Sequence, residues 1–229
     1  DADSKVISSF GILNTLIDPT DHPWYGIPYP GTYVLVAKGT ITHKFFDSNL
    51  AVRAGPEQLL RAALGESVEV DAPAQTDSAT VEVNAFIDAD AMALTVQKDL
   101  VVRFTVPTGR HLYAAPAPAG SVAATVILDE NEHIVARPML TPDSKPHSLA
   151  ATDESFPVYE GQVELRVPLT VNLDSNHGLS EVTVSGEIHW QSCDDQVCDI
   201  PSQQRFAFTL PVNAAPKSMG TAEASALEP

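Results

Sequence analysis

Cysteine is nearly absent from this chain. Only Cys193 and Cys198 occur in 229 residues, which excludes the disulfide framework of a small secreted domain. Cations are scarce too: 13 Lys plus Arg stand against 30 Asp plus Glu, a net charge of −17. Phosphate neutralisation needs clustered cations, so no nucleic-acid partner is expected. Apolar runs such as Ala123-Ala124-Thr125-Val126-Ile127-Leu128 fall far short of the roughly 20 residues of a membrane helix. No membrane insertion is expected, and neither a lipid anchor nor a signal peptide is visible. No Gly-rich phosphate loop, placeable Ser-His-Asp arrangement or metal-ligand cluster is found, so no cofactor and no metal are expected. The chain starts at Asp1 without methionine, which suits a mature secreted protein or a fragment.

What is present is enough apolar residue to fold. At 44% hydrophobic and 19% charged, the chain can bury a core in one large domain or two small ones. Residues 1–65 read as mixed α and β. Val6, Ile7, Phe10, Leu13 and Ile17 have helical spacing, with a stop at Pro19, Asp21, His22 and Pro23. Thr32 to Ala37 and Thr40 to Phe46 flank Lys38-Gly39 as a β-hairpin, and Pro56 through Leu64, followed by Gly65, has the termini of a helix. Two strands and a helix cannot make an independent sheet-and-helix domain of useful stability, so partners of the hairpin are expected to be missing.

Residues 66–77 have linker composition, and 213–229 read as a disordered Ala, Ser, Glu and Pro tail. Between them, 78–212, lie about seven strand-like segments: 80–87, 92–96, 100–106, 121–129, 162–171, 180–191 and 203–212. Val163, Leu165, Val167, Leu169 and Val171 share one face of their strand, as do Val182, Val184, Gly186, Ile188 and Trp190 of the next. That pattern predicts a mostly β fold, an immunoglobulin-like antiparallel β-sandwich, preceded by the shorter α/β segment.

The segment from Trp190 to Pro201 carries the chemistry. Fully extended, it would hold the two cysteine Cα atoms about 16 Å apart, whereas a disulfide needs about 4.4 to 6.8 Å. The chain must double back, with Asp194-Asp195 as the turn and the flanking strands pairing as a hairpin. Three readings stand side by side. A structural disulfide closing so short a loop would contribute only about 2 kcal/mol. Zinc could use Cys193, Cys198 and His189, though no Cys-x-x-Cys knuckle supports it. A redox-active pair is the third. Asp194, Asp195 and Asp199 beside the thiols disfavour thiolate, so such a pair would react sluggishly in free solution and better within a docked complex.

The stretch Trp190-Gln191-Ser192-Cys193-Asp194-Asp195-Gln196-Val197-Cys198-Asp199-Ile200-Pro201 resembles the cysteine hairpin of the N-terminal periplasmic domain of the DsbD family of thiol:disulfide interchange proteins. Gly109-Arg110-His111-Leu112-Tyr113 resembles the strand end facing those cysteines. The stretch from Asp153 to Gly161 resembles the family's cap loop, so the likeness covers 78–212. The cysteines here are separated by one residue fewer than the family pattern. The resemblance implies that Cys193 and Cys198 are the exchanging pair, that Phe156 shields the disulfide, and that His111, Tyr113 and Tyr159 pack around it. It implies electron transfer with thioredoxin-like partners outside the cytoplasm, in the periplasm.

Tyr25-Gly26-Ile27-Pro28-Tyr29-Pro30-Gly31-Thr32-Tyr33-Val34-Leu35, with Lys38-Gly39 and Phe45-Phe46, resembles the second half of a peroxiredoxin or redoxin (AhpC/TSA) domain with the thioredoxin fold. By that likeness Tyr29–Pro30 would be a cis bond and Arg53 an active-site arginine. The half bearing a nucleophilic cysteine is not in this sequence, so no peroxidase activity is expected, and that half would be one candidate partner. The reading is therefore a thiol:disulfide oxidoreductase component; the alternative is a non-enzymatic interaction domain with a permanent disulfide.

Overall fold

The computed structural model describes residues 1, 3–15, 25–47, 51–64, 80–148, 154–172 and 178–213. The linker at 66–77, the tail beyond Asn213, the helix stop at 19–23, and Ile17, Gly65 and Asp153 lie outside the described residues. The chain forms two units, Asp1–Val68 and Glu69–Pro229.

In the first unit, helix α1 spans Lys5–Ser9, shorter than the apolar spacing predicts. Gly11 adopts φ +68°; its N–H donates to the Ser8 carbonyl and that of Ile12 to the Ile7 carbonyl. This pair of bonds is a Schellman stop, which glycine reaches without a Cβ clash. Strands β1 (Gly31–Leu35) and β2 (Ile41–Phe46) form the expected hairpin, and α2 spans Pro56–Leu64 as expected. The Tyr29–Pro30 bond is trans, contrary to the redoxin likeness; the cis X-Pro bond among the described residues is Ala115–Pro116. Trans is the intrinsically favoured form by about 0.5–1 kcal/mol. Here a Leu13–Pro28 bridge and the Tyr29 N–H donated to the Ile12 carbonyl fix the approach to Pro30. Apolar burial is thin in this unit: Val52 and Ala62 are buried, while Phe10, Leu35, Val36, Leu60 and Leu64 are each about half exposed or more.

The second unit is the mostly β, immunoglobulin-like sandwich. One sheet has the order β3 (Glu82–Ile87), β5 (Lys98–Thr105), β11 (Gln162–Val171), β8 (Ile134–Ala136). The other runs β4 (Met92–Ala93), β14 (Ser202–Asn213), β12 (Glu181–Trp190), β7 (Thr125–Leu128). Pairing is antiparallel except between β14 and β4. Period-two alternation builds the core. Val163, Leu165 and Val167 lie opposite Phe104, Val102 and Leu100. Together they pack with Val182, Val184 and Ile188 of β12 and Phe206 and Leu210 of β14. Each such side chain contributes about 1.5–3 kcal/mol when fully buried.

A third sheet has the order β13 (Ser192–Cys193), β6 (His111–Tyr113), β10 (Ser155–Tyr159), β9 (Lys145–Ser148); of these strands the sequence marks β6 alone, as the strand end facing the cysteines. The expected cap loop is thus a strand, β10, held between two neighbours. Its Pro157 lies opposite Pro146 of β9, and prolines inside a run hide a strand from pattern reading. The expected strands at 92–96 and 121–129 are shortened to β4 and β7. Thr95 at φ +65° is a backbone conformation that ends extended structure.

Gly186 sits in β12 between β14 and β7. A Cβ there would collide with the Ile127 carbonyl oxygen and come within 3.0 Å of both the Leu128 Cα and the Phe206 ring. Gly186→Ala is expected to cost about 1–3 kcal/mol through overpacking, read as a lowered urea midpoint; an unchanged midpoint would show that β7 can shift freely.

Candidate functional site

Strand β12 delivers the chain to the cysteines and β14 carries it away, with Trp190 paired to Ser202 at the open end. Between them the segment folds on itself. The Asp199 N–H donates to the Ser192 carbonyl (2.8 Å) and the Asp194 N–H to the Val197 carbonyl (3.0 Å). Cys193 and Cys198 are therefore the non-hydrogen-bonded pair between two bonded ones, the position where opposed Cα atoms come closest. Their Cα atoms are 4.0 Å apart and the sulfurs are joined at 2.04 Å. The turn lies at Asp195-Gln196, one residue beyond the expected one. Asp194 starts it, its Oδ1 accepting the N–H groups of Gln196 (2.8 Å) and Val197 (2.7 Å). Those bonds hold the Asp194 carboxyl below its usual pKa.

The two cysteines are unequally exposed. Cys193 is 1% exposed, while Cys198 is exposed on the outer arm. Cys193 packs with Tyr113 and Val158, and Phe156 lies against that cluster. The Tyr113 hydroxyl is 4.0 Å from the Cys198 sulfur, and burial raises its pKa.

Alternation along β10 decides which residues reach the cysteines. Phe156 and Val158 face them, whereas Tyr159, one residue on, points the other way and belongs to the main core with Leu112. The expected packing of Tyr159 near the disulfide is corrected accordingly. His111 lies opposite Cys193 across β6 and β13. Its ring meets Tyr113 edge-on and that of His147 at a 4.3 Å centroid distance.

Arg110 changes the expected electrostatics. Its Nε donates to the Ser192 hydroxyl (2.7 Å) and its Nη2 to the Ser192 carbonyl (3.3 Å) and the Asp199 carboxylate; Nη1 lies 3.8 Å from Asp194. Two of the three aspartates beside the thiols are thus in contact with a cation, and the third, Asp195, is 83% exposed and 4.0 Å from His147. The local negative field is weaker than the sequence implies, and Cys193 is in addition buried against Tyr113 and Val158. Gln191 secures the returning arm, donating to the Asp199 carbonyl (2.9 Å) and accepting the Val122 N–H (3.0 Å).

Arg110, Gln191, Ser192 and His147 are site residues that spacing did not reveal. The quoted Gly109 to Tyr113 stretch contained the signal for Arg110, but its partners lie 82 and 89 positions away. His189, the third ligand of the zinc reading, bonds Glu187 at 2.9 Å, and the sulfurs are bonded to each other. Arg53 and Pro30 belong to the first unit. There Arg53 donates to the adjacent Val52 carbonyl (2.8 Å), and no cysteine is present in that unit's sequence.

An immunoglobulin-like sandwich with a cystine hairpin beneath an aromatic cluster defines a class of domain, and sequence comparison specifies it. Residues 69–210, more than half the chain, match the family described as thiol:disulfide interchange protein DsbD, N-terminal, and the chain belongs to that family. Similar solved structures include the N-terminal periplasmic domain of ScsB from Proteus mirabilis, with 16% identity and TM-score 0.40, covering 59% of this chain and 47% of that one. Another is the Neisseria meningitidis DsbD N-terminal domain in the reduced form, with 15% identity and TM-score 0.37, covering 56% and 88%. The chain spans about half the length of the Proteus structure. No curated protein matches it.

Arg110→Ala is expected to loosen the hairpin without touching the core. Amides of Gln196, Val197 and Asp199 should exchange hydrogen on the order of tenfold faster while those of β5 and β11 are unchanged. Equal protection in variant and wild type would show that Arg110 does not hold the hairpin.

Proposed function

We propose that the second unit is a thiol:disulfide exchange module that passes electrons between thioredoxin-like partners through a reversible Cys193–Cys198 disulfide. The unequal exposure of the two cysteines carries this reading. Cys193 is closed off, so a partner thiolate that displaces the ring over the pair meets Cys198. It attacks that sulfur, the Cys193–Cys198 bond breaks, and the electron pair leaves on Cys193. A second partner thiol, losing its proton, then attacks its own sulfur in the mixed disulfide and releases Cys198, so the partner ends oxidised and this domain reduced. The reverse sequence delivers electrons to a partner disulfide. Family membership supports the same chemistry, and it supports an extracytoplasmic, periplasmic site of action, where disulfides persist.

Phe156 acts in this reading as a cap over the sulfurs, with Tyr113 beneath. An aromatic ring keeps small oxidants and thiols out until a docking partner displaces it. The first unit we read as the C-terminal half of a redoxin. In support, a hairpin is followed by a helix there, and apolar residues such as Leu60 and Leu64 are more than half exposed. A complementary redoxin half would then be a natural partner, since one chain bearing both would raise their effective concentration. The trans Tyr29–Pro30 bond counts against this part of the reading.

Thiol trapping after equilibration in glutathione buffers tests the exchange reading. The pair is expected to titrate between dithiol and disulfide across roughly −180 to −300 mV. A disulfide resisting reduction throughout that range would make it a permanent brace and the domain an interaction module. For the cap, Phe156→Ala should speed reduction by dithiothreitol with little change in stability. Unchanged kinetics with a loss of about 3–5 kcal/mol would assign Phe156 to the core instead.

A further inference from the structure

His111 is a buried titratable group that the exchange steps above leave unused. It is 4% exposed, and its Nε2 is buried with no hydrogen-bond partner among the described residues. An orphaned buried nitrogen is costly unless it has a task. His111 stands directly across from Cys193, where opposed Cβ atoms lie about 4.5–5.5 Å apart, within reach of a side-chain proton transfer. Cys193 is the sulfur that solvent cannot serve.

We propose that His111, backed by His147, takes the proton from the Cys193 thiol when Cys193 attacks Cys198, and returns it when Cys193 is the leaving group. This rests on the exchange reading. In the electron-donating direction, Cys198 thiolate first forms a mixed disulfide with the partner. Cys193 then loses its proton to His111, its thiolate attacks the Cys198 sulfur, and the partner sulfur leaves with the electron pair. His111 passes the proton outward through His147, which lines a solvent-open groove of about 410 Å³ with Arg110, Glu160 and Asp195.

The surroundings favour a neutral imidazole. Burial is the larger cause and the adjoining His147 the second, and both lower the His111 pKa; Arg110 acts in the same sense, while Asp195 and Glu160 oppose it. Tyr113 on the same strand, Asp194 on the hairpin and Lys145, paired to Glu160 at 2.9 Å, are further charged and titratable groups around it among the described residues. A lowered histidine pKa leaves His111 free to accept a proton at neutral pH.

The test uses the reduced full chain and glutathione disulfide, with acid quench, alkylation and mass spectrometry separating mixed disulfide from intramolecular disulfide. Wild type should resolve its mixed disulfide with a rate that levels off above the His111 titration. In His111→Asn, resolution at pH 7 should slow by on the order of 100-fold and rise with pH toward the thiol pKa. Formation of the mixed disulfide at Cys198 should stay within about twofold of wild type; a merely structural role would alter both steps together. His147→Gln, at the groove's edge, removes the neighbouring imidazole that lowers the His111 pKa and should move the inflection to higher pH, which keeps the test open should His111→Asn fail to fold. Wild type that forms no mixed disulfide defeats the exchange reading and this role with it. Normal exchange with the same resolution profile in His111→Asn, or an unshifted inflection in His147→Gln, overturns the His111 role alone.

Discussion

Three residues of backbone pairing hold the site together. Strand β6 bonds β13 on one side and β10 on the other, so the cysteine hairpin and the strand bearing Phe156 are both registered against His111, Leu112 and Tyr113. Alternation then sorts the side chains. Leu112 enters the main core, which anchors the strand, while His111 and Tyr113 turn to the disulfide. A one-residue slip would invert that assignment, placing Leu112 against the sulfurs and two polar rings in the core. The register is therefore protected by the sandwich itself, and the chemistry of the outer face inherits the rigidity of the inner one.

The same division makes two different thiols from two adjacent cysteines. Cys193 faces Tyr113 and Val158, and Cys198 sits on the arm returning to solvent. With Arg110 between Asp194 and Asp199, part of the local negative charge is compensated, and the inequality of the two cysteines comes from burial. Salt would screen an exposed carboxylate field, but it does little to an inequality set by packing. In the exchange reading we propose, partner selection accordingly depends on access to one cysteine more than on long-range repulsion.

The sandwich was legible wherever one face is dry and the other wet. Val163 to Val171 and Val182 to Ile188 alternate because β11 and β12 each bury one face, and α2 was readable from Pro56 and Leu64 at its ends. The cysteine hairpin was legible because a disulfide across so short a loop leaves the chain few ways to turn. Strands β9 and β10 were not, since Pro146 and Pro157 interrupt both and neither has a clean apolar period. The roles of Arg110 and His147 were hidden for another reason. Each acts by reaching across to a segment distant in the chain, and local spacing holds no record of reach. The family likeness implies Tyr159 near the disulfide together with Phe156, but three positions along a strand mean opposite faces, and Tyr159 joins the core.

Strand status for the cap segment limits how the cap we propose can open. Phe156 lies opposite His147, and Val158 opposite Lys145 and Tyr113; lifting the segment as a loop would break ladders on both sides and draw Tyr159 out of the core. Rotating the Phe156 ring about its own side-chain bonds breaks none of these. A rotamer change costs far less than the about 1 kcal/mol per hydrogen bond plus the apolar burial lost with the strand. A docking partner need supply only an apolar surface for the displaced ring, and the backbone that aligns Cys198 for attack stays in place throughout.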